Sequence, residues 1–414
     1  MPTAFQPAIV AHYHELWLKG GNRHFFLGKL ITAVRRALEG VSVARLSKPG
    51  DRLLIQLGEG ADLHEALARL RRVLGIAHFA VAQPVERDFE AICAAAWREV
   101  EPLQFGTYAV RAKRSDKTFP ISAMELERRV GGYLMERLVA AGRRVRVNLD
   151  APEVTCRIEI TPGPALVYAR RVPGCGGLPA NTGGRMLCLL SGGFDSAVAA
   201  YRMMKRGAHV TFAHFYSAGA KAGESSAPVA RELVKRLVPY QLSGKLHLIP
   251  FEPIQREIVR YAPEQYRILL YRRMMLRIAE RLAQRDRARA FITGDSLGQV
   301  ASQTLQNMVA VGAAARMPVF RPLAGDDKQE IIELSKQIGT YEISSEPFHD
   351  CCPVFMPKVP ALFADARDLE SAESALDIAA LVQQGVKSAA VERYEFRGGI
   401  VSRVAADAPV AQNH

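Results

Sequence analysis

The sequence predicts an α/β protein built as three successive units, and three observations carry that reading. Its 414 residues exceed what one core needs, since domains run at roughly 150 residues each. Apolar strand-like runs alternate with amphipathic helical stretches along the chain, the pattern of α/β architecture. The Gly/Pro cluster VPGCGGLPANTGGR at residues 172–185 breaks all periodicity, which marks a joint between domains.

Residues 1–61 read as a strand (AIVAHYHELWL), a glycine-rich turn (KGGNRHFF), a helix (LGKLITAVRRALEG) and a further strand (RLLIQL), a small α/β unit. Residues 62–172 read as a helix (LHEALARLRRVLG), a strand (HFAVAQPVE), a helix through Trp97, a strand (TYAVRAKR), an amphipathic helix (SAMELERRVGGYLMERLVAAG) and the strands VRVNL and TCRIEI. They make a second α/β unit. Residues 173–398 form the third, with new periodicity from about Ala180: the strand MLCLL, a helix from Ser196, VTFAHF, the helix PVARELVKRLV, KLHLIPF, a long helix through YRRMMLRIAERLA, and ARAFITG. Strand and helix in alternation imply a parallel sheet with crossover helices on both faces. Residues 399–414, ending AADAPVAQNH, read as a frayed tail.

Composition narrows the class. No stretch approaches the roughly 20 uninterrupted apolar residues of a membrane span, and the N-terminus lacks a basic start, an apolar run and a cleavage site. A cytoplasmic protein with no membrane partner is expected. Six cysteines, Cys93, Cys156, Cys175, Cys188, Cys351 and Cys352, are too sparse for a disulfide scaffold, and none forms a CxxC pair, so no structural metal is expected. The formal charge of +13 and pI near 9.6 point to a polyanionic partner, nucleic acid before membrane; the plainer alternative is a basic, well-solvated protein.

The segment LCLLSGGFDSAVAAYRMMKRG sets an apolar strand directly before SGG and an amphipathic helix directly after FDS. Gly192 and Gly193 permit positive φ and close approach, so successive amides can form an anion nest at a positive helix end. Ser191 and Ser196 add hydroxyl donors. Asp195 repels a phosphate, so its role is to hold magnesium on a nucleotide or to orient the loop. The lysine of a GxxxxGK[ST] loop is missing, which points away from γ-phosphate transfer. Strand-SGGxDS-helix is the PP-loop pattern, which goes with ATP cleavage between the α and β phosphates and adenylation of a carbonyl oxygen.

Further along, Lys328 stands near a helix start, and Cys351 and Cys352 sit in a Pro-flanked loop. A cysteine there could bear a persulfide whose terminal sulfur attacks an adenylated carbon, with a nearby cation making the thiol reactive; the alternative is two small apolar core residues. TGDSLGQVASQTLQNM follows the strand ARAFIT and places Gly294 at a strand end, where ligands collect in open sheets. Gln303 bonds adenine or ribose, or is a solvated polar residue. Arg272 and Arg273 meet phosphate or RNA, or form a solvated helix face. His214 is a ligand or a satisfied polar residue. In the second unit RAKRSDK places Arg111, Lys113, Arg114 and Lys117 around one acid, natural phosphate contacts for RNA. Phe119, Tyr108 and Tyr133 either stack on bases or belong to the core.

Together these residues resemble the bacterial tRNA 4-thiouridine synthases, a family also linked to making the thiamine thiazole. HELWLKGGNRHFF resembles its N-terminal ferredoxin-like segment, RAKRSDKTFPISAMELERRVGGYL its THUMP domain, and PGCGGLP with LLSGGFDS its entry into the PP-loop domain; GDSLGQVASQT and IGTYEISSEPFHDCCPVF match further. The resemblance implies that the first two units hold the tRNA acceptor region while the third activates uridine 8. It implies ATP contacts at Leu189, Leu190, the loop Ser191 to Ser196 with Gly192, Gly193 and Asp195, His214, Phe215, Arg272, Gly294 and Gln303. Asp195 and Lys328 would assist adenylation, with Mg2+, and Cys352 would carry the sulfur, with Cys351 the alternative. Phe194 and Ala197 depart from the family's usual isoleucine and proline, and FYSAGAKAGESSAPVA lacks its usual proline and aromatic pattern. The chain ends before a rhodanese domain, so a cysteine desulfurase would load the persulfide. Family members suggest a homodimer. The competing expectations are another PP-loop enzyme and a non-catalytic THUMP-type RNA-binding protein.

Overall fold

A computed structural model of the chain describes residues 7–217, 225–346, 355, 357 and 359–404. The chain divides into two compact units, Met1–Arg23 with Leu38–Gly177, and His24–Ala37 with Leu178–His414.

The N-terminal elements are β1 (Ala8–His12), α1 (Arg23–Ala37), β2 (Val43–Ser47), β3 (Arg52–Leu57), α2 (Leu63–Leu70), β4 (His78–Val85), α3 (Phe89–Val100), β5 (Thr107–Arg114), α4 (Ala123–Ala140), β6 (Arg146–Val147), β7 (Val154–Ile160), β8 (Ala165–Tyr168) and β9 (Val172–Pro173). Their strands make one sheet in the order β2-β3-β1-β4-β8-β7-β5-β6, with β9 paired to β4. The strand expected over AIVAHYHELWL stops at His12; Glu15–Asn22 are 3-10 helix, interrupted at Gly20, whose φ of 48° suits glycine alone. β4 pairs antiparallel with β1 and with β8, so the sheet runs unbroken past residue 61.

Caps define the helices. Asp62, Asp88 and Ser122 each accept a hydrogen bond from the amide three residues on, at 3.0, 3.0 and 3.2 Å, each contributing about 1 kcal/mol. α3 and α4 cover one face of the sheet, where Ile92, Ala96, Leu126, Val130 and Leu134 pack on Tyr108, Val110, Cys156 and Ile158. On the other face Glu159 meets Arg52 at 2.7 Å, His12 at 2.9 Å and the Tyr168 hydroxyl at 2.6 Å. Burial opposes its charge, yet His12, Arg52 and Tyr168 outweigh that and hold its carboxyl down at about 2.

Besides α1, the second unit contains β10 (Arg185–Leu189), α5 (Phe194–Lys205), β11 (His209–Tyr216), α6 (Ala227–Gln241), β12 (Ser243–Pro250), α7 (Glu252–Tyr261), α8 (Arg267–Arg285), β13 (Phe291–Ile292), α9 (Leu305–Gly312), β14 (Val319–Phe320), α10 (Lys328–Ile338), α11 (Tyr341–Ser345), α12 (Ala366–Ala372), α13 (Ile378–Ser388), β15 (Ala390–Arg397) and β16 (Ile400–Val404). The sheet order is β14-β13-β10-β11-β12-β15-β16. β14 through β12 are parallel, as expected, whereas β12, β15 and β16 pair antiparallel. Within the tail expected from residue 399, Ile400–Val404 instead form an edge strand whose register on β15 runs Arg393↔Val404 to Arg397↔Ile400. Buried Leu187, Phe215, Phe251, Ile254, Leu270, Met274 and Phe291 lie in the core that α7, α8 and α13 help to close. No helix among the described residues is long and apolar enough to cross a membrane.

Candidate active site

From β10 the chain moves through β11 to β12, then returns to place β13 on the far side of β10. Ligands of open parallel sheets collect at the carboxyl ends of strands beside such a reversal. The loop after β10 and the residues after β13 both emerge there.

The loop is held by its serines. Ser196, 3% exposed, accepts from the Ser191 amide at 3.1 Å, lies 3.1 Å from the Ser191 hydroxyl, and donates to the Gly193 carbonyl at 3.1 Å. Gly193 is the N-cap of α5, and among the described residues no side chain caps that helix, so its first amides keep their donors for an anion. The expected positive φ is not used: Gly193 sits at φ −77°, ψ 150°, and neither Gly192 nor Gly193 is among the positive-φ glycines of the described residues. Glycine is demanded instead at Gly294. A Cβ there would meet the Ser196 amide nitrogen at 2.6 Å and the Asp195 carbonyl carbon at 2.8 Å. The chain after β13 thus packs directly on the first turn of α5.

Asp195 projects from that turn and meets the Lys328 ammonium at 2.8 and 2.9 Å, with the Gln299 amide donating at 3.3 Å. Lys328 is the first residue of α10, which a reciprocal Asp327–Glu330 capping box fixes in place. Its ammonium also lies 4.5 Å from the centre of the Phe194 ring, which tilts against Tyr341. The departure at Phe194 therefore supplies a cation–π contact to Lys328.

A cleft of about 460 Å³ opens beside this pair, lined by Leu189, Leu190, Ser191, Asp195, Ser196, Phe215, Arg272, Gly294 and Gln303 among others. In its wall Asp295, 5% exposed, binds the Arg272 guanidinium, accepts from Thr293 at 2.8 Å and pairs with Arg321 at 3.4 Å. Burial pushes the Asp295 carboxyl up, but these partners outweigh it and hold the group below its ordinary range. Two guanidiniums on one carboxylate leave this wall net positive. The side-chain oxygen of Gln303 is buried without a hydrogen-bond partner among the described residues, an acceptor ready for a ligand donor.

Most of the residues expected at the nucleotide thus share one cleft. Lys328 reaches it through Asp195. His214 does not line it: fully buried, it bonds the Leu190 carbonyl at 2.8 Å and the Ser226 hydroxyl at 2.9 Å, holding the loop from behind. Arg273 is also internal, donating to Glu373 and to the Ala310 carbonyl. Cys351 and Cys352 lie outside the described residues. Of the other thiols, burial pushes Cys93 up to about 11, Cys156 to about 12 and Cys188 higher still, which leaves them unreactive. Cys175 donates to the Arg71 carbonyl at 2.9 Å.

In the other unit Lys113 and Lys117 are exposed, whereas Arg114 turns inward and donates to the Phe119 and Ile121 carbonyls at 2.8 and 3.1 Å. Arg111 donates to the Leu149 carbonyl. Phe119 and Tyr108 are core residues, 4% and 1% exposed, rather than stacking platforms. Sequence reasoning missed Asp295, Gln299 and Arg321. The first two stand in the GDSLGQ segment beside Gly294 and were legible there; Arg321 follows β14 and carries no local signal.

The family model described as "Thiamine biosynthesis protein (ThiI)" matches residues 181–378, the ThiI ferredoxin-like domain residues 8–80, and the THUMP domain residues 86–170. A protein of Thermus thermophilus named "Probable tRNA sulfurtransferase" is 44% identical over 390 residues, covering 94% of each chain. One of the same name from Moorella thermoacetica is 38% identical over 95% of this chain and 99% of its own. The crystal structure of a 4-thiouridine synthetase–RNA complex with bound ATP superposes with a TM-score of 0.81 at 32% identity, covering 94% of this chain and 99% of that one.

Proposed function

The chain belongs to the ThiI family of tRNA sulfurtransferases, and we propose that it uses ATP to adenylate the C4 oxygen of uridine 8 in tRNA and replaces that oxygen with persulfide sulfur, giving 4-thiouridine. The observation that carries this reading is the uncapped start of α5 at the sheet's reversal point, whose first turn lines the cleft and carries Asp195, paired with Lys328.

The residues fit ATP by their chemistry. The uncapped amides of the first turn of α5 suit a pyrophosphate, the net positive Arg272–Asp295–Arg321 wall suits further phosphate charge, and the Gln303 oxygen, unpartnered among the described residues, suits an amino or hydroxyl donor of the nucleoside. ATP supplies the adenylyl group that turns the C4 oxygen into a leaving group. Lys328 neutralises charge developing on the transferred phosphate, and Asp195 both orients Lys328 and offers a carboxylate to Mg2+. Cys352 bears the terminal sulfur that attacks C4 and releases AMP, with a cysteine desulfurase as its donor and Cys351 or Cys175 as resolving thiol. The THUMP-matching residues 86–170 hold the tRNA, in a homodimer that works in the cytoplasm, and the same sulfur chemistry extends to thiamine thiazole synthesis.

ATP labelled at the α-phosphate tests the first half-reaction. The label should pass to tRNA, with pyrophosphate released, when ATP and tRNA are present, and should leave as AMP once a sulfur source is added; Asp195→Ala should abolish both. ADP as the product would overturn the reading.

A further inference from the structure

The face of the N-terminal sheet opposite α3 and α4 carries an arrangement that a protein alone does not favour. Arg111 on β5 and Arg157 on β7 are direct cross-strand partners. Tyr108, Val110, Cys156 and Ile158 point into the core with α3 and α4, so by strand alternation Arg111 and Arg157 project together from the other face. Like charges directly opposite on one sheet face repel. Arg171 stands on the same face: its guanidinium lies 3.4 Å from His78 Nε2, the His78 ring stacks on His12 at 4.6 Å, and His12 pairs with Glu159, two residues from Arg157 along β7. Burial first, and then the charge of Arg171 with that of Arg111, lowers the Arg157 pKa below its ordinary value.

The countercharge expected of a purely structural cluster is missing. Arg157 donates to the Thr155 carbonyl at 3.4 Å, and neither Arg157 nor Arg171 has a carboxylate partner among the described residues. Glu127 reaches Arg111 only at 3.9 Å, and nearby Glu159 is committed to Arg52 and His12. His78 offers no compensation and no added charge: burial, then His12, Arg171 and His14, lower it to about 4, so it is neutral at physiological pH and accepts from Arg171.

We propose that Arg111, Arg157 and Arg171 form a phosphate-binding site on this sheet face, taken by the backbone of the bound RNA, an inference that rests on the tRNA reading above. Three guanidiniums held together against their own repulsion are preorganised for a phosphate, whose arrival removes the repulsion and adds charge-assisted hydrogen bonds. The contact positions the RNA without reading its sequence.

The test is tRNA binding by the full-length protein across a salt series, together with thermal unfolding, for wild type, Arg157→Gln, Arg157→Lys and Arg171→Gln. Arg157→Gln should lower affinity on the order of threefold to tenfold and reduce the slope of log affinity against log salt by about one, while the melting temperature holds or rises because a repulsion is relieved. Arg157→Lys should keep the slope, and Arg171→Gln should repeat the Gln result. Wild-type slope and affinity in both Gln variants would overturn the site, as would binding losses that track a lowered melting temperature in the Lys variant too. Inorganic phosphate at matched ionic strength should not displace the tRNA; displacement would make this a free-phosphate site instead. A wild-type protein that does not bind tRNA would overturn the reading beneath the proposal, a result distinct from intact binding by the variants.

Discussion

Gly294 is where one added methyl should do the most damage for its size. Its Cβ would stand 2.6 Å from the Ser196 amide nitrogen and 2.8 Å from both the Asp195 carbonyl carbon and the Ser196 Cα. All three neighbours are backbone, so no side chain can swing aside. Opening 2.6 Å to the 3.0 Å that real contacts tolerate needs a shift of 0.4 Å, and reaching 3.4 Å needs 0.8 Å. Overpacking of this kind costs about 1–3 kcal/mol, or roughly 2–12 °C of melting temperature in a unit of this size. The shift falls on the first turn of α5, which carries Asp195. If a 1 Å misplacement costs about 100-fold, Gly294→Ala should lower tRNA thiolation roughly tenfold or more at saturating ATP. Gly193→Ala is the control, because its Cβ would meet only the Ser191 hydroxyl at 3.5 Å, an ordinary contact, and its melting temperature should match wild type. Wild-type melting and wild-type turnover in Gly294→Ala would refute the argument that β13 and α5 meet backbone to backbone.

Lys328→Met should separate chemistry from stability: the Lys328–Asp195 pair is half-exposed on the lysine side, so unfolding free energy should change by less than about 1 kcal/mol while turnover falls on the order of 100-fold. His214→Ala should behave oppositely in stability, since the buried Leu190 carbonyl and Ser226 hydroxyl both lose partners; denaturant titration should show a loss of about 2–5 kcal/mol, with a raised KM for ATP. Acid should destabilise the protein in two windows. His78 and His209, lowered from 6.5 to about 4 by burial and neighbouring cations, are neutral when folded, so between pH 6.5 and 4 the unfolded chain binds more protons and stability falls as pH drops. Glu159, held at about 2 against an ordinary 4.5, contributes stability above pH 4.5 that is lost as pH falls toward 2. Melting temperatures that stay flat from pH 6.5 to 4 would contradict this, and Glu159→Gln should shrink the lower window, leaving the part that Asp295 contributes.

What the sequence disclosed follows from what is contiguous. The strand, the SGGFDS loop and α5 occupy one run of residues, so the local pattern contained the geometry apart from the glycine conformations. Gly192 and Gly193 read as positive-φ residues because glycine permits that backbone; neither adopts it, Gly193 being extended, and the strict steric demand sits 101 residues after Gly193, at Gly294, where two backbones cross. Arg272, Asp295 and Arg321 come from α8, the end of β13 and the end of β14, and only the strand order brings them together. Hence Arg272 could be read as solvated and Arg321 drew no notice. β8 was missed because ALVY is four residues long after a Pro-Gly-Pro turn, and β16 because an exposed edge strand, IVSRV, shows little burial pattern. His214 illustrates the limit of residue type: the same buried histidine fits a ligand and a brace, and its two hydrogen bonds make it a brace.

The most direct test of the account is mass spectrometry of nucleosides from tRNA incubated with the protein, ATP, magnesium and a persulfide source, alongside Asp195→Ala and Cys352→Ser. The account predicts 4-thiouridine at position 8 that requires ATP, Asp195 and Cys352. Tight tRNA binding with no thiolated base under any of these conditions would contradict it.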